Sequence, residues 1–333
     1  MSTIIPKGYE TKLGVIETQV AIKKLKDYFE HRLGEELNLI RVSSPLFVLP
    51  ETGANDNLNG EKAVSFDIPC MDKYAEIVQS LAKWKRLALK KYRFNVGKGL
   101  YTDMNAIRKN EDLDNIHSLY VDQWDWELVI DKESRNEKTL IDVVNKLYKV
   151  FKDTEEFVCS TYTSIEIILP EKITFITSQE LEDMYPELTP KEREDRIVKE
   201  KGAVFLMKIG KVLSSGEKHD GRSPDYDDWE LNGDILFYNP VLGNTLELSS
   251  MGIRVDEESL ERQLKLSNCE DRKKFDYHKM LLNGELPYTV GGGIGQSRIC
   301  MYFLRKAHIG EVQVGIWPED MISECSSMGV ELL

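Results

Sequence analysis

Ser118–Ile130 reads SLYVDQWDWELVI, a run rich in β-branched and aromatic residues, and the composition predicts a strand. Side chains along a strand alternate between its two faces. Trp124, Trp126 and Leu128 therefore share one face, and His117, Leu119, Val121, Gln123, Asp125 and Glu127 share the other. The tryptophan face predicts packing onto a core. The successive polar groups Gln123, Asp125 and Glu127 predict water or a polar ligand over the opposite face. An ordinary solvated sheet face fits this strand equally well, so the neighbouring segments have to decide.

Thr245–Arg254 (TLELSSMGIR) repeats the theme, with Glu247 and Ser249 on one face and Arg254 at its end. Just upstream, Asn232-Gly233-Asp234 puts another carboxylate at a strand start. Two carboxylates beside a phosphate suit Mg2+, a hard cation that takes oxygen ligands; a plain ion pair between Glu247 and an arginine is the simpler alternative. Residues 291–298, GGGIGQSR, contain the letters of a dinucleotide-binding fingerprint. That motif should follow the first strand of a βαβ unit, with an acidic residue about 20 positions on. Here it lies near the C-terminus behind a long helix and ends in arginine, so the match is rejected. A strand passing close under a flat ligand explains the glycines instead. The following helix would then start at Arg298, aimed at phosphate.

The remaining segments predict a helix over Thr11–Leu33, with Ile16, Val20, Leu25, Phe29 and Leu33 at helical spacing and Gly34 as its stop. A short strand at Leu39–Val42 should stop at Ser44-Pro45. Glu51–Gly60 reads as a loop, and alternation of Val64, Phe66 and Ile68 as a half-buried strand. A basic helix (LAKWKRLALKKY) follows Ser80, and further helices are expected around Thr139–Phe157, Glu180–Lys201 and Asp256–Leu282, the last capped by Asp256. Ile235–Tyr238 and Thr245–Val255 read as strands. No repeat or linker interrupts the pattern. It predicts one domain over residues 1–333, of α+β class, with a mostly antiparallel sheet flanked by helices.

Charge sorts the function classes. The 333 residues hold 44 Lys+Arg against 57 Asp+Glu, a formal charge of −13, which disfavours a general nucleic-acid or anionic-membrane surface. No apolar run is long enough to span a bilayer, and the N-terminal MSTIIPKGYE lacks the layout of a secretion signal. Five dispersed cysteines without a C-x-x-C predict reduced thiols and a cytoplasmic protein. Locally the balance inverts. Residues 72–110 carry ten basic and three acidic side chains, whereas Asp220–Glu230 holds five acids and one base, Arg222. A cationic segment with an acidic counterpart suits a polyanion together with an ammonium-bearing or metal-bound ligand, although a solvated helix face accounts for many of the lysines. The five histidines have no metal-ligand spacing, and no nucleophilic Ser/Cys–His pair is legible.

Taken in order, these pieces resemble the class II aminoacyl-tRNA synthetase core. The helix and strand ending at Pro45 resemble motif 1, Gly99–Glu127 with Arg108 resembles motif 2, and GGGIGQSR with Arg298 resembles motif 3. Longer strings narrow the resemblance: DNLNG, QSLAKWKR, GLYTDMNAIR, YVDQWDWE, PDYDDW, LNGDI, ELSSMGIRVD and GGGIGQSR. Over about residues 7–332 the chain is similar to the ammonia-dependent asparagine synthetase (aspartate–ammonia ligase) family. Gln79 stands where the family string has histidine, and the acidic stretch between Asp228 and Leu231, read as a loop, is shorter than in some members.

The resemblance implies adenylation of L-aspartate by ATP, then attack by ammonia, giving L-asparagine, AMP and pyrophosphate. It implies Arg108 on the α-phosphate, Arg298 on the γ-phosphate, and Asp234 and Glu247 as ligands of a Mg2+ cofactor. His117, Glu127 and Gly293 would also border ATP. Lys85, Gln123, Asp125, Asp227, Ser249, Ser250, Arg254 and Gly292 would line the aspartate pocket, with Asp56 covering it and orienting or deprotonating ammonium. It further implies a homodimer formed near Arg41–Leu49, with no nucleic acid or membrane partner. Two alternatives stay open at this point: a tRNA synthetase-like adenylating enzyme, and an inactive adenylate-binding paralogue.

Overall fold

The computed structural model describes residues 3–56 and 62–333. Its first long element is α1 (Val15–Leu37), followed by β1 (Leu39–Arg41), β2 (Phe47–Val48), β3 (Ser65–Ile68), β4 (Lys73–Ile77) and α2 (Ala82–Tyr92). Next come β5 (Gly99–Ile107), β6 (Tyr120–Val129), α3 (Glu137–Thr161), β7 (Thr174–Thr177), α4 (Ser178–Met184), α5 (Pro190–Lys201) and β8 (Ala203–Met207). The chain finishes with β9 (Asp227–Asn239), β10 (Asn244–Arg254), α6 (Glu257–Leu266), α7 (Asp276–Leu282), β11 (Thr289–Gly295), α8 (Gln296–Phe303) and α9 (Glu319–Ser327).

Eight strands form one sheet in the order β1-β5-β6-β11-β10-β9-β8-β7, and β2-β4-β3 form a small second sheet. The large sheet is mixed. Its inner run from β5 to β8 is antiparallel, whereas the edge strands β1 and β7 pair in parallel with β5 and β8. The sequence leads only to a mostly antiparallel sheet, because the two parallel edges are made by short strands that return through long connections.

One face of the sheet carries Trp124, Trp126, Ile235, Phe237, Met251, Ile253 and Ile294 into the main core, against Ala21, Leu25, Phe29 and Leu33 of α1 and Val144, Leu147 and Phe151 of α3. Phe29 stacks on Trp124 with ring centroids 4.8 Å apart. This core also takes in Leu13 and Val330, near the two ends of the chain.

Several boundaries differ from expectation. α1 runs through Gly34 and stops at Asn38, which adopts φ 55° and donates its N–H to the carbonyls of Gly34 and Glu35. Gly34 lies inside the helix, where a Cβ would meet the Leu39 carbonyl oxygen at 3.4 Å. The α1 stripe is Ala21, Leu25, Phe29, Leu33 and Leu37, while Ile16 and Val20 face outward. β3 is largely exposed rather than half-buried. The helix expected at Glu180–Lys201 divides into α4 and α5: the chain breaks at Pro186, and Pro190 starts the second helix behind a Thr189 capping box. The one expected at Asp256–Leu282 begins at its Asp256 cap but stops at Leu266, near Asn268 with φ 53°. β9 starts at Asp227, so the acidic stretch 228–231 is strand and not loop.

Candidate active site

The polar face predicted for β6 lies on a cleft of about 670 Å³, opposite the core. Strand register explains the arrangement. Gln123, Asp125 and Glu127 pair with Gly295, Gly293 and Gly291 of β11, and directly paired residues share a face. A Cβ on Gly291 would come within 2.0 Å of the Glu127 carboxylate, and one on Gly293 within 2.6 Å of Gln123 Oε1. The glycines are thus required first by the side chains of β6 leaning across them. Gly292 points the other way, where a Cβ would strike Met251, but its carbonyl accepts a hydrogen bond from Lys85 Nζ at 2.9 Å.

β10 contributes through an irregularity. Glu247 pairs with Leu236 and Ser250 with Asp234, with a register shift between Glu247 and Ser249. That bulge re-aims the strand. Glu247 and Ser250 consequently share the face of Asp234, although strict alternation would oppose them. Ser249, expected beside Glu247, pairs with the core residues Ile235 and Ile294 while still bordering the cleft.

At one end of the cleft the charges are deeply buried. Arg254 donates from Nε to Glu127 Oε1 at 3.0 Å and from Nη2 to Oε2 at 2.8 Å, and it also pairs with Asp227. Thr289 Oγ1 donates to Glu127 at 2.6 Å. Lys85 Nζ lies 3.1 Å from Asp125 and 3.8 Å from Glu127. Burial pushes the Lys85 ammonium below its ordinary value, with Asp125 opposing, and pushes the Asp227 carboxyl up despite Arg254. Burial would raise Glu127 too, but Arg254 and Lys85 outweigh it and hold that carboxyl low. Lys85 and Asp227 are therefore poised groups of the kind that cluster at functional sites.

The other end is cationic. Arg108 follows β5, and its Nε is buried without a hydrogen-bond partner among the described residues. Arg298 projects from α8 and donates to the Glu247 carbonyl at 3.0 Å. His117, on the wall nearby, is held by Asp114 at 2.9 Å. Arg222 also stands on this wall and is paired with Asp234. Burial pushes the Asp234 carboxyl up to about 7, with Arg222 opposing and Glu247 reinforcing. Among the described residues, Asp234 Oδ1 is buried without a hydrogen-bond partner. The oxygens of Asp234 and Glu247 are hard donors of the kind a divalent cation takes, and the guanidinium groups of Arg108, Arg222 and Arg298 on the cleft wall suit the phosphate oxygens such a cation would share. Among the described residues no group of three or more His, Cys, Asp or Glu gathers round a metal position, so the two carboxylates would need substrate oxygens to complete one.

Of the site residues expected from sequence, Lys85, Arg108, His117, Gln123, Asp125, Asp227, Glu247, Ser249, Ser250, Gly292, Gly293, Arg254 and Arg298 line this one cleft. Three stand behind its wall. Asp234 is 5% exposed and reaches the cleft through Arg222 and Ser250. Glu127, expected against ATP, is 0% exposed and its carboxylate is taken up by Arg254, Lys85 and Thr289. Asp56 is 1% exposed and paired with Lys83 at 3.1 Å, while the rest of its DNLNG loop lies outside the described residues.

The sequence reading missed Arg222 and a buried ionic group made by Lys83, Asp225, Arg272 and His278. It also treats most of the lysines of residues 72–110 as solvated, yet Lys83, Lys85 (expected in the aspartate pocket) and Arg86 are at most 3% exposed. A signal existed for two of them. Positions 82, 85, 86 and 89 form one helical stripe, Ala-Lys-Arg-Leu, which puts two cations inside an apolar face.

Burial alone would raise Asp225, but Lys83 and the hydrogen bonds from His278 and Arg272 hold it well below the ordinary carboxylate range. A carboxyl lowered by folding stabilises the fold above the free-aspartate pKa of about 3.9, and that contribution drains as pH falls toward the folded-state value. Asp225→Asn should therefore melt at a lower temperature near neutrality and lose less of its remaining stability on acidification. Thermal melts of both proteins from neutral to acid pH check this, and parallel curves would reject it.

With this geometry in view, similarity to known proteins becomes decisive. Residues 16–329 match the aspartate-ammonia ligase family. The chain belongs to that family. It is 65% identical over 332 residues to the aspartate–ammonia ligase of Clostridium tetani, covering 99% of this chain and 97% of that one. It is 58% identical over 335 residues to the aspartate–ammonia ligase of Pediococcus pentosaceus, with both chains fully covered. The fold is that of larger proteins. An asparaginyl-tRNA synthetase of Entamoeba histolytica, in complex with asparaginyl-adenylate, superposes with TM-score 0.66 at 11% identity, over 90% of this chain and 66% of that one. The asparaginyl-tRNA synthetase of Pyrococcus horikoshii complexed with asparaginyl-adenylate gives TM-score 0.65 at 16% identity, over 90% and 70%.

Proposed function

We propose that this cleft synthesises L-asparagine from L-aspartate and ammonia in two steps, through β-aspartyl-AMP, within a single catalytic domain spanning residues 1–333. The observation that carries the reading is the division of the cleft. One part carries both signs of charge, from Lys85, Asp125, Asp227 and Arg254, and the same cleft is lined by the three guanidinium groups of Arg108, Arg222 and Arg298.

An aspartate carboxylate approaching a triphosphate meets like charge, so fixed cations have to be in place before bond formation. Arg108 would hold the α-phosphate while the β-carboxylate attacks it, and Arg298 the γ-phosphate, with His117 and Gly293 bordering the nucleotide. Asp234 and Glu247 would hold Mg2+, which when bound neutralises charge on the departing pyrophosphate. Arg254 suits a substrate carboxylate because its guanidinium is already aligned by Glu127 and Asp227. Asp125 and Asp227 suit the α-ammonium, with Lys85, Gln123, Ser249, Ser250 and Gly292 completing the pocket. In the second step Asp56 would orient ammonium and take a proton from it. Ammonia's lone pair then bonds to the acyl carbon, the carbon–oxygen bond to AMP breaks with its electron pair going to phosphate, and the nitrogen sheds one further proton to solvent water to leave the neutral amide.

A homodimer is proposed through the Arg41–Leu49 region, where Leu46 and Phe47 are exposed apolar side chains, as is Ile40 just before it in sequence. A cytoplasmic setting without nucleic acid suits the acidic chain, and no helix among the described residues is long and apolar enough to cross a membrane.

Incubation with Mg-ATP, L-aspartate and ammonium should yield asparagine, AMP and pyrophosphate in equal amounts. Formation of ADP and phosphate would mean an acyl-phosphate route and reject the adenylate step.

A further inference from the structure

Beside the cleft, five ionisable side chains from separate segments meet in the interior, and only Asp56 has a part in the scheme above. Asp225 is fully buried: its Oδ2 accepts from Arg272 Nη1 at 2.9 Å and lies 2.9 Å from His278 Nε2, while its Oδ1 accepts from Ser223 Oγ at 2.7 Å. Lys83 Nζ stands between two carboxylates, 3.3 Å from Asp225 Oδ2 and 3.1 Å from Asp56 Oδ1. The Asp56 oxygens accept no other contact of this kind among the described residues.

The turn that carries Asp56 is itself tightly seated. A Cβ on Gly53 would lie 2.6 Å from Phe275 Cβ, so the backbone presses directly on the start of α7. Asn55 accepts from the Gln79 N–H at 2.8 Å and donates to the Ile77 carbonyl at 3.2 Å. Arg272 of the cluster is on the cleft wall, as are Ala82 and Tyr226. Apolar residues of similar volume would join these segments as firmly as buried ions do, and removing one ion of such a set leaves an uncompensated charge. What ions supply and apolar packing does not is a carboxylate held at a fixed place.

We infer that Lys83 is a positioning residue for the ammonia half of the reaction: braced on Asp225, which Arg272 and His278 anchor, it fixes the Asp56 carboxylate where ammonium arrives. The inference rests on the assignment of Asp56 to ammonium made above. Lys83 touches neither substrate, and the adenylation end of the cleft does not depend on it. The ion cluster and the aspartate pocket have different partners: Lys83 is paired with Asp56 and Asp225, whereas Lys85, two residues on, is paired with Asp125 and Glu127 and donates to the Gly292 carbonyl.

The test compares three readouts in Lys83→Met. These are the KM for ammonium, turnover with hydroxylamine, and aspartate-dependent exchange of pyrophosphate into ATP. Hydroxylamine is a neutral nucleophile at pH 7.5, so it needs no carboxylate to hold a cation or take its proton. The ammonium KM should rise about tenfold or more, the loss expected for one charge-assisted contact. Hydroxamate formation and pyrophosphate exchange should stay within about twofold of the parent. Lys83→Arg should recover part of the ammonium KM. An equal fall in all three readouts, or an unchanged ammonium KM, would overturn the inference. Asp56→Asn separates the two layers: if it leaves the ammonium KM unchanged, the assignment of Asp56 itself fails. If it raises that KM while Lys83→Met does not, only the positioning role fails. Should Lys83→Met not fold, the charge-balanced Lys83→Met/Asp225→Asn variant is read in the same way.

Discussion

Arg108→Ala and Arg298→Ala should each lower aspartate-dependent pyrophosphate exchange by about 10²-fold or more, the cost of removing a preorganised donor aimed at developing charge. Both guanidinium groups line the cleft, yet they are held very differently. Among the described residues, Arg108 has a long side-chain pairing with Glu111 at 3.8 Å and a buried Nε without a hydrogen-bond partner. Arg298 is tied through Nη1 to the Glu247 carbonyl at 3.0 Å, so its direction is set by the strand that also carries the proposed metal ligand. The deficit should appear mainly in kcat for Arg108, whose partner atom changes charge in the transition state. For Arg298, which would hold the far phosphate in ground and transition states alike, more of it should appear in the KM for ATP. Single-turnover measurement of AMP release separates the two. Either variant turning over near the parental rate would reject its assigned place.

How far the sequence reaches can be judged residue by residue. Period two in β6 puts Gln123 and Asp125 opposite Trp124 and Trp126 with no knowledge of the fold, and the structure places them so. Such reasoning works where a strand is regular. It fails at Glu247, because a bulge changes which residues share a face and leaves no mark in the letters ELSS. Helix ends were misplaced for a related reason. Asn38 and Asn268 stop helices through left-handed backbone, a conformation asparagine tolerates but does not announce as clearly as glycine. Glycines 291 and 293 suggest room for a ligand, yet the atoms a Cβ would meet there belong to Glu127, Trp126, Gln123 and Asp125. A Lys83–Asp225 pairing spans 142 positions, and no local pattern specifies a contact of that reach. Arg222 was visible only as the single base in an acidic stretch; its partner Asp234 is set by the folding of β9 against the preceding loop.

Glu127→Gln should be the most destabilising isosteric change in the cleft. Glu127 is the shared anion beneath two cations, and it is wholly enclosed. Five charges meet here, Lys85 and Arg254 against Asp125, Glu127 and Asp227. Removing one of three anions leaves two positive groups sharing two carboxylates, one of which, Asp227, is already pushed toward its neutral form by burial. Breaking a buried ion set by deleting one partner costs about 3–5 kcal/mol, a large part of a typical domain's stability. The amide can still accept from Thr289 or Arg254, so the loss expected sits at the low end of that range, and denaturant unfolding measures it. Function should suffer separately. With Arg254 less firmly aligned, the KM for aspartate should rise by about tenfold or more while the KM for ATP moves little. Had Glu127 met ATP directly, the pattern would reverse, with the ATP KM rising and the aspartate KM holding. A variant with parental stability and both KM values unchanged would mean that water or Asp227 replaces the anion, and that the buried carboxylate is not what aligns Arg254.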